Sequence, residues 1–265
     1  FVLGLIVFIF SAIPSLIFLK RRPEDVGLLP DGRELAEKVS LLGDETPLKT
    51  ISRSQASPDE EAVWNRQDIF RTKVFWQLTF IMSIIYFTGA GINFHLFPFL
   101  TDKEVPPGTA VLAITVLSIA SAIGGVFFGF LAERVSVRKL MSLILITSGT
   151  MFFFVFWVFE NMVLLFLFAS LFGIIRGGVL PTIFMVWADF YGRRSSGTVL
   201  GLASPFRLTA NAAGPVFGAI CFDLQDNYWI PFTIYSILLV LAGLASLIAK
   251  PPVISPSSTS QKMPS

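Results

Sequence analysis

Seven apolar runs, separated by short polar turns and one long polar segment, set the pattern of this chain. They are Phe1 to Leu19, Val74 to Leu100, Thr109 to Leu131, Leu140 to Phe159, Met162 to Trp187, Thr198 to Phe222 and Trp229 to Ala249. Each is about 20 residues or longer, enough for a helix to cross the hydrocarbon core of a bilayer. The runs are continuous rather than alternating, which excludes the strand pattern of a membrane barrel. Lipid offers the backbone no water, so such runs satisfy their own amides as helices. The pattern predicts an all-α polytopic membrane protein with seven transmembrane helices. Between the first two runs lies a polar segment, residues 20–73. Within it "SPDEEAVW" reads as a helix start, with Ser57 as cap, Pro58 at the first helical position and Glu60 three residues after the cap. Trp64, Phe70 and Val74 are expected on one side of this surface helix, which leads into the next span. The Ser/Pro-rich tail, residues 251–265, has the composition of a disordered segment.

Composition agrees with the pattern, and charge adds an orientation. The chain is 54% hydrophobic and 14% charged, with a mean hydropathy of +0.72. A soluble domain cannot carry that balance on its surface. Eighteen of the 20 Lys and Arg lie outside the spans, and they alternate. Successive segments on one side hold 10, 3, 2 and 2 of them, against 1, 0 and 0 on the other. Basic loops stay cytoplasmic. The long segment and the C-terminus are therefore expected inside, in a multi-pass protein of the plasma membrane. A net charge of +2 gives no reason to expect nucleic acid as a partner. The single cysteine, Cys221, leaves the redox compartment unreadable. The chain opens on Phe1 inside an apolar run with no basic leader, so a fragment of a longer protein is expected rather than a signal peptide.

The two remaining cations are Arg176 and Arg207, both inside spans. Arg176 lies thirteen residues before Asp189, and Arg207 thirteen residues after Arg194. On straight helices both sit roughly 20 Å from the shared turn, at similar depth on consecutive antiparallel spans. An intramembrane Arg costs about 2.5–3.5 kcal/mol on the lenient insertion scale, so each is expected to face a cavity or a partner. No Asp or Glu lies inside a span. The compensating charge must come from backbone carbonyls, from an acid elsewhere in a longer protein, or from an anionic ligand, which a guanidinium grips bidentately. Gly177, Gly178 and Pro181 follow Arg176 and are expected to break its helix, a feature of transporter sites. His95, the only histidine, is a candidate for proton uptake or for substrate contact; the plainer alternative is a histidine satisfied by a neighbour. Tyr86, Asn93 and Asn211 are further polar candidates. Small residues recur every fourth position at Ser121, Gly125 and Gly129, and again at Ala210, Gly214 and Gly218. Such stripes serve close helix packing, within one bundle or between two. No metal cluster, cofactor motif or catalytic set is present, so neither a metal nor a cofactor is expected, and an enzyme is not.

The loop "GFLAERVSVRKLM" resembles the major facilitator loop motif G-x-L-a-D-r-x-G-r-k. Gly129, Leu131, Ala132, Arg134 and Arg138 match, Glu133 stands for the Asp, and Ser136 replaces the glycine. "RRPEDVGLLPDG", "FRTKVFWQL", "NFHLFPFLTD" and "DFYGRRSSGTVLG" resemble segments of facilitators in the monocarboxylate and oxalate–formate carrier group. "AAGPVFGAICFD", with Gly214 and Pro215, resembles their Gly-Pro helix, and the pair is expected to break it. The resemblance runs from the sixth helix to the twelfth. It implies that residues 1–19 are the last helix of an N-terminal half and residues 20–73 a cytoplasmic central loop. Residues 74–250 are then a six-helix C-terminal bundle, with residues 251–265 as a tail. The first five helices would belong to a missing part of the N-terminal half. It also implies a secondary carrier with its substrate between two halves that rock. Gly129, Glu133, Arg134 and Arg138 would latch one conformation. The resemblance places the helices of Arg176 and His95 on the central cavity, and that of Arg207 between the halves. It further implies a basic residue in the eighth helix. Thr109 to Leu131 has none, and Arg207 is the candidate to fill part of that role. The expected substrate is a small organic anion such as a monocarboxylate, moved with or against protons. The alternatives are a facilitator for a sugar or drug whose arginines are structural, and a seven-helix receptor. The last span has no Lys for a retinal Schiff base.

Overall fold

The computed structural model describes residues 64–249, all within the unit Glu60–Ser265, apart from the side chains of Arg193 and Arg194. The expected helix Phe1 to Leu19, the helix start at Ser57 and the tail 251–265 lie outside the described residues. The described chain forms helices α1 (Arg66–Arg71), α2 (Lys73–Asp102), α3 (Pro107–Ala132), α4 (Val137–Phe153) and α5 (Val155–Val158). They are followed by α6 (Met162–Gly177), α7 (Val179–Tyr191), α8 (Arg193–Gln225) and α9 (Trp229–Ile248). Every predicted run from Val74 onward is helical. The protein is an all-α polytopic membrane protein.

Four helical segments among the described residues are long and apolar enough to cross a membrane: α2, α3, the stretch Met162–Tyr191 that joins α6 to α7, and α9. The other two predicted spans fall short for different reasons. Helix α4 has 17 residues, because the Phe154 amide bonds the Met151 carbonyl at 3.0 Å and tightens the chain before the single turn of α5. Helix α8 has 33 residues, but Arg207, Asn211, Pro205 and Pro215 dilute its apolar character.

Small residues set the packing. The helices pair as α3 with α6, α4 with α9, and α2 with α8, and α9 also lies along α2. At each pairing a glycine lets two backbones meet. A Cβ on Gly124 would fall 1.9 Å from the Ile174 carbonyl oxygen, one on Gly177 would fall 2.0 Å from that of Ser121, and one on Gly214 would fall 2.0 Å from that of Phe87. The predicted stripes therefore serve packing within this bundle, with a shift. In α3, Ser121 on the stripe meets Gly177 and Gly124 off it meets Ile174, whereas Gly129, on it, has open space around it. Between α4 and α9, Ser142 donates to the Gly243 carbonyl at 2.6 Å.

Large rings fill the rest of the core. Trp187, Tyr191, Tyr235, Phe75, Phe99, Phe152, Phe172 and Phe232 are fully buried. Phe99, Phe152, Phe156 and Tyr235 all pack around Phe232. Helix α1 buries Ile69 completely and leaves Phe70 40% exposed, so Ile69 rather than Phe70 anchors it. Trp64 ties the entry of α1 to the start of α8, its amide donating to Ser195 Oγ at 3.0 Å and its ring meeting Tyr191 at 5.3 Å.

Candidate functional site

All six spans contribute to one cavity of about 410 Å³. Arg176 on α6 is half-buried in its wall, together with Tyr86 and Asn93 on α2 and Asn211 on α8. Its Nη2 donates to the Gly89 carbonyl at 3.1 Å. A Cβ added at Gly89 would sit 3.7 Å from Nη2, in ordinary contact. Among the described residues, the cavity lining contains no Asp or Glu. Of the expected alternatives, a cavity or a partner and carbonyls, an acid or a ligand, the described residues supply a cavity and one carbonyl.

The helix around Arg176 is interrupted at one residue, Gly178, which keeps helical dihedrals. Helix α6 ends at Gly177 and α7 begins at Val179, with Pro181 in its first turn. Proline has no amide to give the carbonyl four residues earlier, here that of Gly177. The Gly178 amide instead bonds Ile175 at 3.2 Å in a tightened turn. By contrast α8 runs unbroken through Gly214 and Pro215. Two side chains brace it there: Tyr235 Oη donates to the Gly214 carbonyl at 2.7 Å, and His95 Nε2 donates to that of Pro215 at 2.8 Å.

Arg207 is brought near the site indirectly. Its guanidinium lies 5.0 Å above the Tyr86 ring, and Tyr86 lines the cavity. Gly89, the partner of Arg176, is three residues along α2 from Tyr86, about 4.5 Å by helical rise. The two cations therefore meet α2 on adjacent turns, as their equal distance from the shared turn led one to expect. His95 is not among the cavity residues. Its ring packs against Gly218 and, at 5.5 Å, against Tyr228. That is the histidine held by neighbours. The loop-motif residues Gly129, Glu133 and Arg134 are away from the cavity and, among them, Glu133 and Arg134 are exposed. Arg138 donates to the Ala249 carbonyl at the end of α9.

Sequence reasoning missed Ser148. It lies on α4, is buried, and its Oγ has no hydrogen-bond partner among the described residues, yet it lines the cavity. Nothing in "LILITSGTMFFF" separates Ser148 from Ser142, Thr147 or Thr150; only the arrangement of α4 against α9 does.

A bundle of apolar helices around a cavity with Arg176 in its wall defines a polytopic membrane protein. The family model of the Major Facilitator Superfamily matches residues 79–264, and the chain belongs to that superfamily. No curated protein matches it. It is thus a multi-pass membrane protein and a secondary transporter with a small-molecule substrate; the family is one of transporters rather than enzymes.

Proposed function

We propose that this transporter moves small organic anions such as monocarboxylates by alternating access, with protons as the candidate coupling ion. In this reading residues 74–250 are the C-terminal half of a facilitator of the monocarboxylate and oxalate–formate group. It lies in the plasma membrane with its C-terminus in the cytoplasm. Arg176 binds the anion, Tyr86, Asn93 and Asn211 line its path, and Glu133, Arg134 and Arg138 work the cytoplasmic latch.

One observation carries the reading. Among the described residues, Arg176 stands in a cavity lined by no carboxylate and is held by a backbone carbonyl. A carbonyl dipole orients a guanidinium without cancelling its charge. The remaining N–H donors match a carboxylate in geometry. Arg207, one turn away through Tyr86, adds positive potential of the same sign.

A second reading, a neutral or cationic solute with structural arginines, draws on the same contacts, since both cations already touch the protein. Thermal stability separates the two, because a ligand that binds only the folded state raises it. The full chain in detergent is screened against carboxylates, sugars and cationic drugs, with Arg176→Gln alongside. Stabilisation by a carboxylate that vanishes in the variant supports the anion carrier. Stabilisation of both proteins by neutral or cationic compounds alone rejects it.

A further inference from the structure

Two layers of side chains lie between the cavity and the end of the bundle where α2 and α8 begin and α7 ends. Helix α2 runs away from that end and lines the cavity from Ile85 onward. Helix α7 runs toward it and lines the cavity with Val179 and Leu180. Nearer the end, Leu78 and Met82 of α2 meet Met141 of α4 and Ile183, Val186 and Trp187 of α7. All six are buried, and a void of only about 10 Å³ stays open among them. That is barely room for one water. These residues plug the cavity at this end.

The second layer holds the plug in place. Among the described residues, α2 does not pair with α7 along its backbone; α7 packs on α4, α8 and α3. Side chains of the segment that leads into α2 bridge the gap. Thr72 Oγ1 and Tyr191 Oη lie 2.6 Å apart. The Thr72 hydroxyl already donates to the Ile69 carbonyl at 2.7 Å, so Tyr191, the last residue of α7, is the donor of the pair. The Trp64 ring meets the Tyr191 ring edge-on at 5.3 Å. Trp64 is itself fixed to the first turn of α8, where its amide donates to Ser195 Oγ at 3.0 Å. Between Tyr191 and the start of α8 stands Gly192 alone, with φ of 77°, a conformation open to glycine. The segment thus spans a one-residue joint, and the wholly buried Ile69 seats it.

A transporter that works by alternating access has to open one end of its cavity at a time. We propose that residues 64–72 are a conformational strap for this end. Trp64 and Thr72, fixed to α8 and α2, hold Tyr191 and keep α7 over the plug. When they let go, α7 swings about Gly192 and the plug opens. In the orientation expected from loop charge this is the cytoplasmic end, where the segment 20–73 arrives, so a pull on that segment bears on Tyr191. The strap serves whichever solute is carried.

The test places a thiol in the plug by Ile183→Cys, in the full chain in detergent, and follows labelling by N-ethylmaleimide with peptide mass spectrometry. Ile183 is 2% exposed, so a thiol there should label slowly. The native Cys221, towards the far end of α8, is the control. Adding Tyr191→Phe removes one hydrogen bond and should speed labelling at position 183 about fivefold. Trp64→Leu removes the ring contact instead and should speed it by about the same factor. The two together should give about 25-fold, because one movement breaks both contacts. Cys221 should stay within about twofold throughout, since a local opening leaves the rest of the fold closed. Met82→Cys, across the plug on α2, repeats the reading if Ile183→Cys fails to fold. Unchanged labelling in the plug, a gain in only one of the two variants, or an equal gain at Cys221 overturns the strap and leaves the anion carrier standing.

Discussion

Replacing Gly124 by alanine tests how α3 and α6 are held together. The added Cβ would lie 1.9 Å from the Ile174 carbonyl oxygen, and real Cβ contacts essentially never fall under 3.0 Å. The obstacle is backbone and cannot rotate away. The helices must part by at least the difference, about 1.1 Å. A gap of 0.5–1 Å already forfeits about a quarter to a half of each dispersion contact it opens. Overpacking of this kind costs about 1–3 kcal/mol, and a backbone clash belongs at the upper end. Alanine returns up to about 1 kcal/mol as the better helix former. The net loss is about 2 kcal/mol, or a melting temperature lowered by roughly 4–8 °C at 2–4 °C per kcal/mol. Two neighbours on the same helix serve as controls. Gly125→Ala meets its nearest atom at 3.4 Å, and Gly129→Ala meets nothing within 4 Å. The first should change stability little, and the second should be neutral or stabilising. Detergent-solubilised protein is heated and the folded fraction read by fluorescence-detected gel filtration. If Gly124→Ala melts with Gly129→Ala, the close α3–α6 contact is wrong, and so is the position of Arg176 that depends on it.

Arg176→Lys keeps the charge but loses the planar fork; carboxylate affinity should fall about tenfold rather than vanish, read by calorimetry. Tyr235→Phe removes the donor to Gly214 and should cost about 1 kcal/mol of stability without changing the dissociation constant of any carboxylate. His95→Ala should behave likewise, because its ring bonds Pro215 outside the cavity. A loss of carboxylate binding in His95→Ala at unchanged stability would instead put this histidine in the substrate path.

The helices were legible because an apolar stretch of span length has one stable form in lipid, and the six predicted runs from Val74 onward appear as helices near their expected ends. The depth of Arg176 and Arg207 was legible too, since rise per residue fixes it once the shared turn at Gly192 is known. Which face each residue presents was not. Ser121, Gly125 and Gly129 form a regular stripe on paper, yet the close approach runs between Ser121 and Gly124, opposite Gly177 and Ile174, and leaves Gly129 free. The Gly-Pro pair at Gly214 and Pro215 promised a break, and α8 runs straight through it. Composition reports a lost amide; it says nothing of His95 and Tyr235, brought from two other helices to brace the same turn. Ser148 was hidden for a related reason. Whether a hydroxyl closes on its own helix or is buried without a partner depends on neighbours far away in sequence.

The electrostatics of the cavity bear on how transport would proceed. Placing Arg176 in the membrane costs about 2.5–3.5 kcal/mol. Its hydrogen bond to the Gly89 carbonyl returns about 1.5–3 kcal/mol, the range for a bond to a charged group. This contact offsets the burial but leaves the charge in place. Under the anion reading, an arriving carboxylate neutralises a site that is already oriented, and little side-chain ordering remains to oppose binding. The same arithmetic limits affinity. Part of the ion-pair energy replaces the carbonyl bond instead of adding to it, so the anion is held firmly enough to be selected and loosely enough to leave. Removing the carbonyl's hold, by displacing α2 at Gly89 with a side chain larger than alanine, should therefore weaken stability while tightening carboxylate binding. A variant such as Gly89→Val that loses both would show that the carbonyl positions the guanidinium for its ligand rather than competing for it.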